Sequence, residues 1–220
     1  MPGRDSHHLA KIVVTDPQQH RVCRAAHSVH SRAPGLLTAR KQNAESLWQV
    51  CGFDLSRGDH GEPVRLSSGL ALDGVAGDFT GGTFFLCGDR GTVRPMLYAS
   101  SEGQAGLIGQ SLAEALEIML GLPSWWDCQK FSGSGDLEVM RTTAIHLGRD
   151  ELSDEPELGA NRVRLAAALD LELGSVPVLL ARLHAAVSAT APDFVLTVKT
   201  GEEYESLFGP WLPSRNPAWR

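Results

Sequence analysis

The sequence predicts an α+β fold, a mostly antiparallel sheet of about four to six strands with helices packed on one face, followed by a helical C-terminal extension. Three observations lead there. Between residues 64 and 99, short apolar and aromatic runs alternate with turn clusters rich in Gly and Ser. Next comes a helix with one apolar stripe, introduced by a capping box at Ser111 and Glu114. From residue 136 to residue 189 the apolar period is helical throughout.

Taken in order, residues 1–30 are polar, basic and His-rich and read as a weakly ordered segment, with Lys11-Ile12-Val13-Val14 able to add an edge strand. Pro34 opens a helix with Ser31 as a cap upstream, Leu36, Leu37, Leu47, Trp48 and Val50 as apolar positions, and Gly52 as its stop. Val64-Arg65-Leu66 and Leu70-Ala71-Leu72 flank Ser-Ser-Gly and read as a hairpin. Thr83-Phe84-Phe85-Leu86-Cys87 is apolar on both faces and reads as a central strand. After the Gly88-Asp89-Arg90-Gly91 turn, Pro95-Met96-Leu97-Tyr98-Ala99 is the return strand.

In the capping-box helix, Leu112, Ala115, Leu116, Met119 and Leu120 form one stripe that Gly121 and Pro123 end. Further helices are expected over residues 136–149, 156–169 and 175–189, then a strand at 194–198 and an extended tail from Gly209. These elements divide the chain into a basic N-terminal segment (1–30), an α+β domain (31–130) and a helical extension packed on it (131–220).

Composition narrows the function classes. The chain has 220 residues, 42% apolar and 21% charged, enough for a core without disulfides or metals. No apolar run approaches the roughly 18–20 residues that cross a bilayer, and the N-terminus has no secretory apolar stretch, so a cytoplasmic protein is expected. Four scattered cysteines, Cys23, Cys51, Cys87 and Cys128, read as free thiols. The net charge of -6 is uneven: residues 1–41 carry seven Lys/Arg against two Asp, the rest thirteen against twenty-four acids. An acidic body disfavours nucleic acid as a partner.

Motifs that imitate active sites fail on inspection. Gly77-Asp78-Phe79-Thr80-Gly81-Gly82 lacks the Gly-Lys-Ser/Thr end of a phosphate loop and precedes a strand, so its glycines are turn-formers. Ser132-Gly133-Ser134-Gly135 lacks the glycine two before either serine that a nucleophile elbow requires, and reads as a linker capped by Asp136. Cys23, His27 and His30 have a spacing that zinc could use, but they stand in the weakly ordered segment, and no metal or other cofactor is expected. Asp73 and Asp78 read as solvated turn acids, and His146 and His184 as half-buried helix residues. Trp125-Trp126-Asp127 leaves two possibilities open. Either both indoles pack between domain and extension, or one is exposed as a binding hot spot.

The ordered string Gly77-Asp78-x-x-Gly81-Gly82-Thr83-Phe84-Phe85-Leu86, Pro95-Met96-Leu97-Tyr98, Glu102 and Ser111-Leu112-x-Glu114-x-Leu116 resembles the SUKH superfamily over roughly residues 34–122. That resemblance implies an α+β protein-binding domain. Bacterial members act as immunity proteins that neutralise toxins, and the yeast member regulates cell-wall synthesis as an interaction hub. The chain departs from the family's pattern at Leu112, where the family has Phe, and residues 123–220 have no counterpart in the minimal domain.

The expectation is thus a non-enzymatic, acidic, protein-binding module, an immunity protein for a basic toxin domain. Its contacts would come from Asp78, Glu102, Trp125, Trp126 and Asp127. The alternative reading is a small hydrolase or transferase with a site between sheet and extension, using His146 or His184.

Overall fold

The structure, a computed structural model, describes residues 42–213. The N-terminal segment, the helix start at Pro34 and the Cys23/His27/His30 cluster lie outside the described residues. Within them the fold is α+β, with six helices and two sheets. None of these helices is long and apolar enough to cross a membrane.

Helix α1 (Ala44–Cys51) ends as expected at Gly52, whose φ of 68° gives the left-handed cap that glycine adopts without strain. Strand β1 (Val64–Leu66) follows, then β2 (Leu72–Gly77), β3 (Thr83–Cys87), β4 (Met96–Ala99) and β5 (Gln104–Gly109). These last four form an antiparallel meander in sequence order. Five of the six helices come from α2 (Leu112–Gly121) onward, with α3 (Trp125–Lys130), α4 (Leu137–Asp154), α5 (Leu158–Ala168) and α6 (Val176–Ser188). Strand β6 (Leu196–Val198) pairs with β1, and β7 (Glu205–Ser206) joins the meander beside β5 in parallel.

Two local signals act as the sequence predicts. Ser111 Oγ accepts the Glu114 N–H at 3.1 Å, and Glu114 reaches back to the Gln110 N–H at 2.7 Å, one residue before the cap. Asp136 caps α4 by accepting from the N–H groups of Glu138 and Val139.

Strands β3 and β4 are buried at every position, with Phe84 opposite Tyr98 and Phe85 opposite Leu97. Because side chains alternate across a strand, the sheet feeds two cores. On one face Phe84, Leu86, Met96, Tyr98 and Ile108 pack with residues from all six helices in a continuous cluster. On the other, Phe85, Cys87, Leu97 and Leu107 pack against Leu66 of β1, Leu196 of β6 and Ala186 of α6. Each Leu, Ile, Phe or Met among them contributes about 1.5–3 kcal/mol by leaving water.

The small β1–β6 sheet corrects the expected hairpin at Ser-Ser-Gly. Ser67 and Ser68 do form a turn, closed by Gly69 N–H donating to Leu66 at 3.0 Å, but the strands on either side of it do not pair with each other. The two serine hydroxyls donate to the carbonyls of Pro192 and Asp193, at 2.9 and 2.6 Å, and Ser67 N–H donates to Val195. Leu72 instead begins β2. Asp73 is likewise a strand residue, held by Arg90 at 3.1 Å and Arg94 at 2.5 Å, rather than a solvated turn acid. Hydrogen bonds from those two guanidinium groups draw its carboxyl down to about 2.

A polar relay ties the loop before β1 to the sheet. The His60 ring lies 3.0 Å from Thr83 Oγ1 at Nδ1 and 3.0 Å from Tyr204 Oη at Nε2, while the Tyr204 hydroxyl donates to Glu62 at 2.7 Å. Tyr204 has one proton and gives it to Glu62, so it accepts from His60 Nε2–H, and Nδ1 accepts from Thr83. A second proton on the ring would force the Thr83 hydroxyl to turn from donor to acceptor, and burial holds His60 below its ordinary value of 6.5. The unfolded chain therefore binds this proton first. The His60 contribution is complete above pH 6.5 and is lost as pH falls from there through the depressed folded value. Urea unfolding between pH 7.5 and 5 should show falling stability, and His60→Gln should flatten that slope.

Candidate functional site

The site begins with a turn. Asp78, between β2 and β3, points its carboxylate back over its own loop, where Oδ1 accepts from Thr80 N–H, Thr80 Oγ1 and Gly82 N–H, each at 2.8 Å. Its Oδ2 accepts the phenol of Tyr98 at 2.6 Å. Burial, together with the Asp78 charge, pushes the Tyr98 phenol well above its ordinary range, so it remains a donor. Gly82 is required by this contact, because a Cβ there would lie 2.2 Å from Tyr98 Oη. Gly81, at φ 93°, supplies the positive φ that closes the loop.

With Asp78 turned inward, the next residue is turned out. Phe79 is 74% exposed and meets Trp48 of α1 edge-on at 6.4 Å between ring centroids. On the other side Tyr98 packs against both tryptophans, 5.2 Å from Trp125 and 5.1 Å from Trp126, and the two indoles meet each other at 5.9 Å, all edge-on. Of the two possibilities left open by the sequence, the structure buries Trp125, at 9% exposure and packed on Phe84, and leaves Trp126 half-buried. Short helix α3, absent from the sequence reading, makes this split, since adjacent helical residues point about 100° apart.

Between these walls runs a groove of about 620 Å³. Trp48 and Gly52 line one side, Phe79 and Thr80 the lip, Phe84, Tyr98 and Met119 the floor, and Trp125, Trp126 and Asp127 the opposite side. Glu155, Leu158 and Arg162 close one end. Arg162 is a two-pronged partner of Glu151, at 2.7 and 2.9 Å, and Glu151 in turn accepts the Ser124 N–H that starts α3. Ser124 has φ 38°, a left-handed geometry that strains a residue other than glycine, and its hydroxyl donates to Asp127 Oδ2 at 2.6 Å. The Cys51 thiol on the groove wall is pushed up to about 12 by burial, which keeps it protonated and unreactive.

The expected site residues separate into groups. Asp78, Trp125, Trp126 and Asp127 share this groove. Asp78, however, has its carboxylate engaged within its own turn and with Tyr98, and Trp125 belongs to the core as well as to the wall. Glu102 is exposed in the β4–β5 turn and is not part of the lining. Trp48 and Phe79 were missed. The signal for Phe79 was an aromatic residue inside a turn motif, where polar residues are the rule.

The histidines of the alternative reading lie elsewhere. His184 Nε2 is 2.9 Å from the Gly135 carbonyl, with its ring 5.2 Å from Phe208, and His146 is half-buried on α4. Neither lines the groove. Among the described residues no cluster of His, Cys, Asp or Glu is arranged to hold a metal ion, and Cys51, Cys87 and Cys128 are free. No known family model matches this chain, and no curated protein or solved structure matches it either.

The geometry separates support from contact. Asp78→Ala strands backbone donors and the Tyr98 hydroxyl, and should cost about 2–4 kcal/mol, with Tyr98→Phe costing about 1.5–3 kcal/mol. The two effects should be less than additive because they share one bond. Phe79→Ala, at an exposed lip, should stay within about 0.5 kcal/mol of the parent. Urea denaturation of the three variants and the double variant checks this ordering.

Proposed function

We propose that this chain is a non-enzymatic protein-binding module whose recognition face is the aromatic groove, and that it works in the cytoplasm as a toxin-neutralising immunity protein. One observation carries the reading: Phe79 is 74% exposed, at the lip of a groove that also presents Trp48 and Trp126. A large aromatic ring held in water by a rigid turn costs apolar exposure that only a partner recovers. Aromatic anchors in a concave, water-excluding setting are the side chains that dominate protein interfaces. The groove is built on β3, β4, helix ends and the hydrogen-bonded Asp78 turn, so little ordering entropy is lost on docking. The resemblance of the Gly77–Gly82 turn, the Tyr98 strand and the Ser111 helix to SUKH domains supports the same class, and the groove grows out of that turn.

The acidic body adds a kinetic element. Residues 42–220 carry thirteen Lys/Arg against twenty-four acids, a field that speeds the approach of a basic toxin domain and loses effect with salt. Exposed Glu102, outside the groove, belongs to this field.

The test is co-expression of the tagged full chain with the product of each flanking gene, scored by growth rescue and co-purification. The expected result is one toxic product that is neutralised and captured. With Phe79→Ala and Trp126→Ala combined, affinity for it should fall at least about 30-fold, as for loss of an interface hot spot. Capture and rescue that survive this double variant unchanged would refute the groove as the recognition face.

A further inference from the structure

The charges on the groove are unevenly matched. Among the described residues its one cation, Arg162, forms a two-pronged pair with Glu151 that leaves only the buried Nε–H without a partner. Asp78 has both carboxylate oxygens occupied by its own turn and by Tyr98. Two acids remain. Among the described residues, Asp127 accepts only the Ser124 hydroxyl, at Oδ2, which leaves Oδ1 open, and the Glu155 carboxylate accepts no hydrogen bond. Aromatic faces and two uncompensated carboxylates thus line the same concave surface.

Resting on the reading of this groove as the recognition face, we infer that its occupant is an arginine side chain of the partner protein, stacked on the exposed aromatic wall and hydrogen-bonded to Asp127 and Glu155. An apolar side chain would cover the indoles but strip water from two carboxylates without replacing it, which costs more than the aromatic contact returns. An anionic group would meet the same two acids, while Arg162, paired with Glu151 through both terminal nitrogens, has only its buried Nε–H without a partner. A cation satisfies both features, since the negative faces of indole and phenol rings attract it. Arginine fits better than lysine. Its planar guanidinium is weakly hydrated, stacks flat on an aromatic ring and has five N–H donors in a fixed fork, enough to serve two separate carboxylates. The groove, at about 620 Å³, also admits the apolar stem of that side chain and part of its backbone.

The probe is blocked arginine, N-acetyl-arginine amide, titrated into the full chain labelled with ¹⁵N at the tryptophan indoles, with blocked lysine and blocked leucine in parallel. Saturable movement of the Trp48 and Trp126 indole signals is expected with arginine, weaker with lysine and weakest with leucine, while Trp211, which does not line the groove, stays in place. Asp127→Asn keeps the acceptor for Ser124, and Glu155→Gln alters only an exposed carboxylate, so both variants should fold. Each should weaken arginine binding by about two- to fivefold, the range for single exposed ion pairs, and together they should abolish the preference for arginine over leucine. Leucine binding as well as arginine, or a preference that survives both substitutions, overturns the cation assignment while leaving the groove as a docking face. If no probe moves the groove indoles, the recognition face and the arginine assignment fall together.

Discussion

The carboxylate of Asp78 is the constraint around which the candidate site is built. It sits in a five-residue turn, yet it organises two strands and, through them, a helix start. By accepting two N–H groups and a hydroxyl of its own loop, it fixes the path from β2 to β3. By accepting the Tyr98 phenol at 2.6 Å, it fixes the ring on which both Trp125 and Trp126 pack edge-on. Gly82 has to lack a side chain for that bond to form, and Phe79 has to face outward once its neighbour faces inward. The exposed aromatic and the half-buried ion–phenol pair are therefore two consequences of one turn.

A second support comes from the other side of the groove. Arg162 and Glu151 join α5 to α4, and Glu151 also holds the backbone where α3 starts. This half-buried ion pair positions Trp126 and Asp127 rather than offering itself to a ligand. The groove is rigid on both walls for different reasons, a carboxylate-centred turn on one and a guanidinium-centred brace on the other. Its chemistry, aromatic with residual negative charge, is what those two internal neutralisations leave behind.

How much of this the sequence discloses depends on how local the determinants are. The Ser111 and Asp136 caps and the α1 stop at Gly52 were legible because each is settled by residues within one turn of helix. Strands β3 and β4 were legible because they are apolar on both faces. The pairing of β1 with β6 was not, since its partners stand about 130 residues apart and the serines that suit a hairpin bond instead to Pro192 and Asp193. Strand β5 was missed because Gln104-Ala105-Gly106-Leu107-Ile108-Gly109 has one β-branched residue in six, and its strand form comes from pairing with β4. In the site, Trp126, Asp127 and Asp78 were named from sequence, but the inward engagement of Asp78 depends on Tyr98, twenty residues away. Trp48 read as a core position of its helix, and only the fold places it opposite Phe79.

The claim that the groove is the recognition face is tested most directly by amide hydrogen exchange on the full chain, free and bound to its captured partner. New protection is predicted on three separate stretches that meet only in the folded protein: residues 48–52, 78–80 and 124–127. Protection confined instead to the smaller cavity of about 340 Å³ around Glu62, Lys199 and Glu203, with the three groove stretches unchanged, would contradict it.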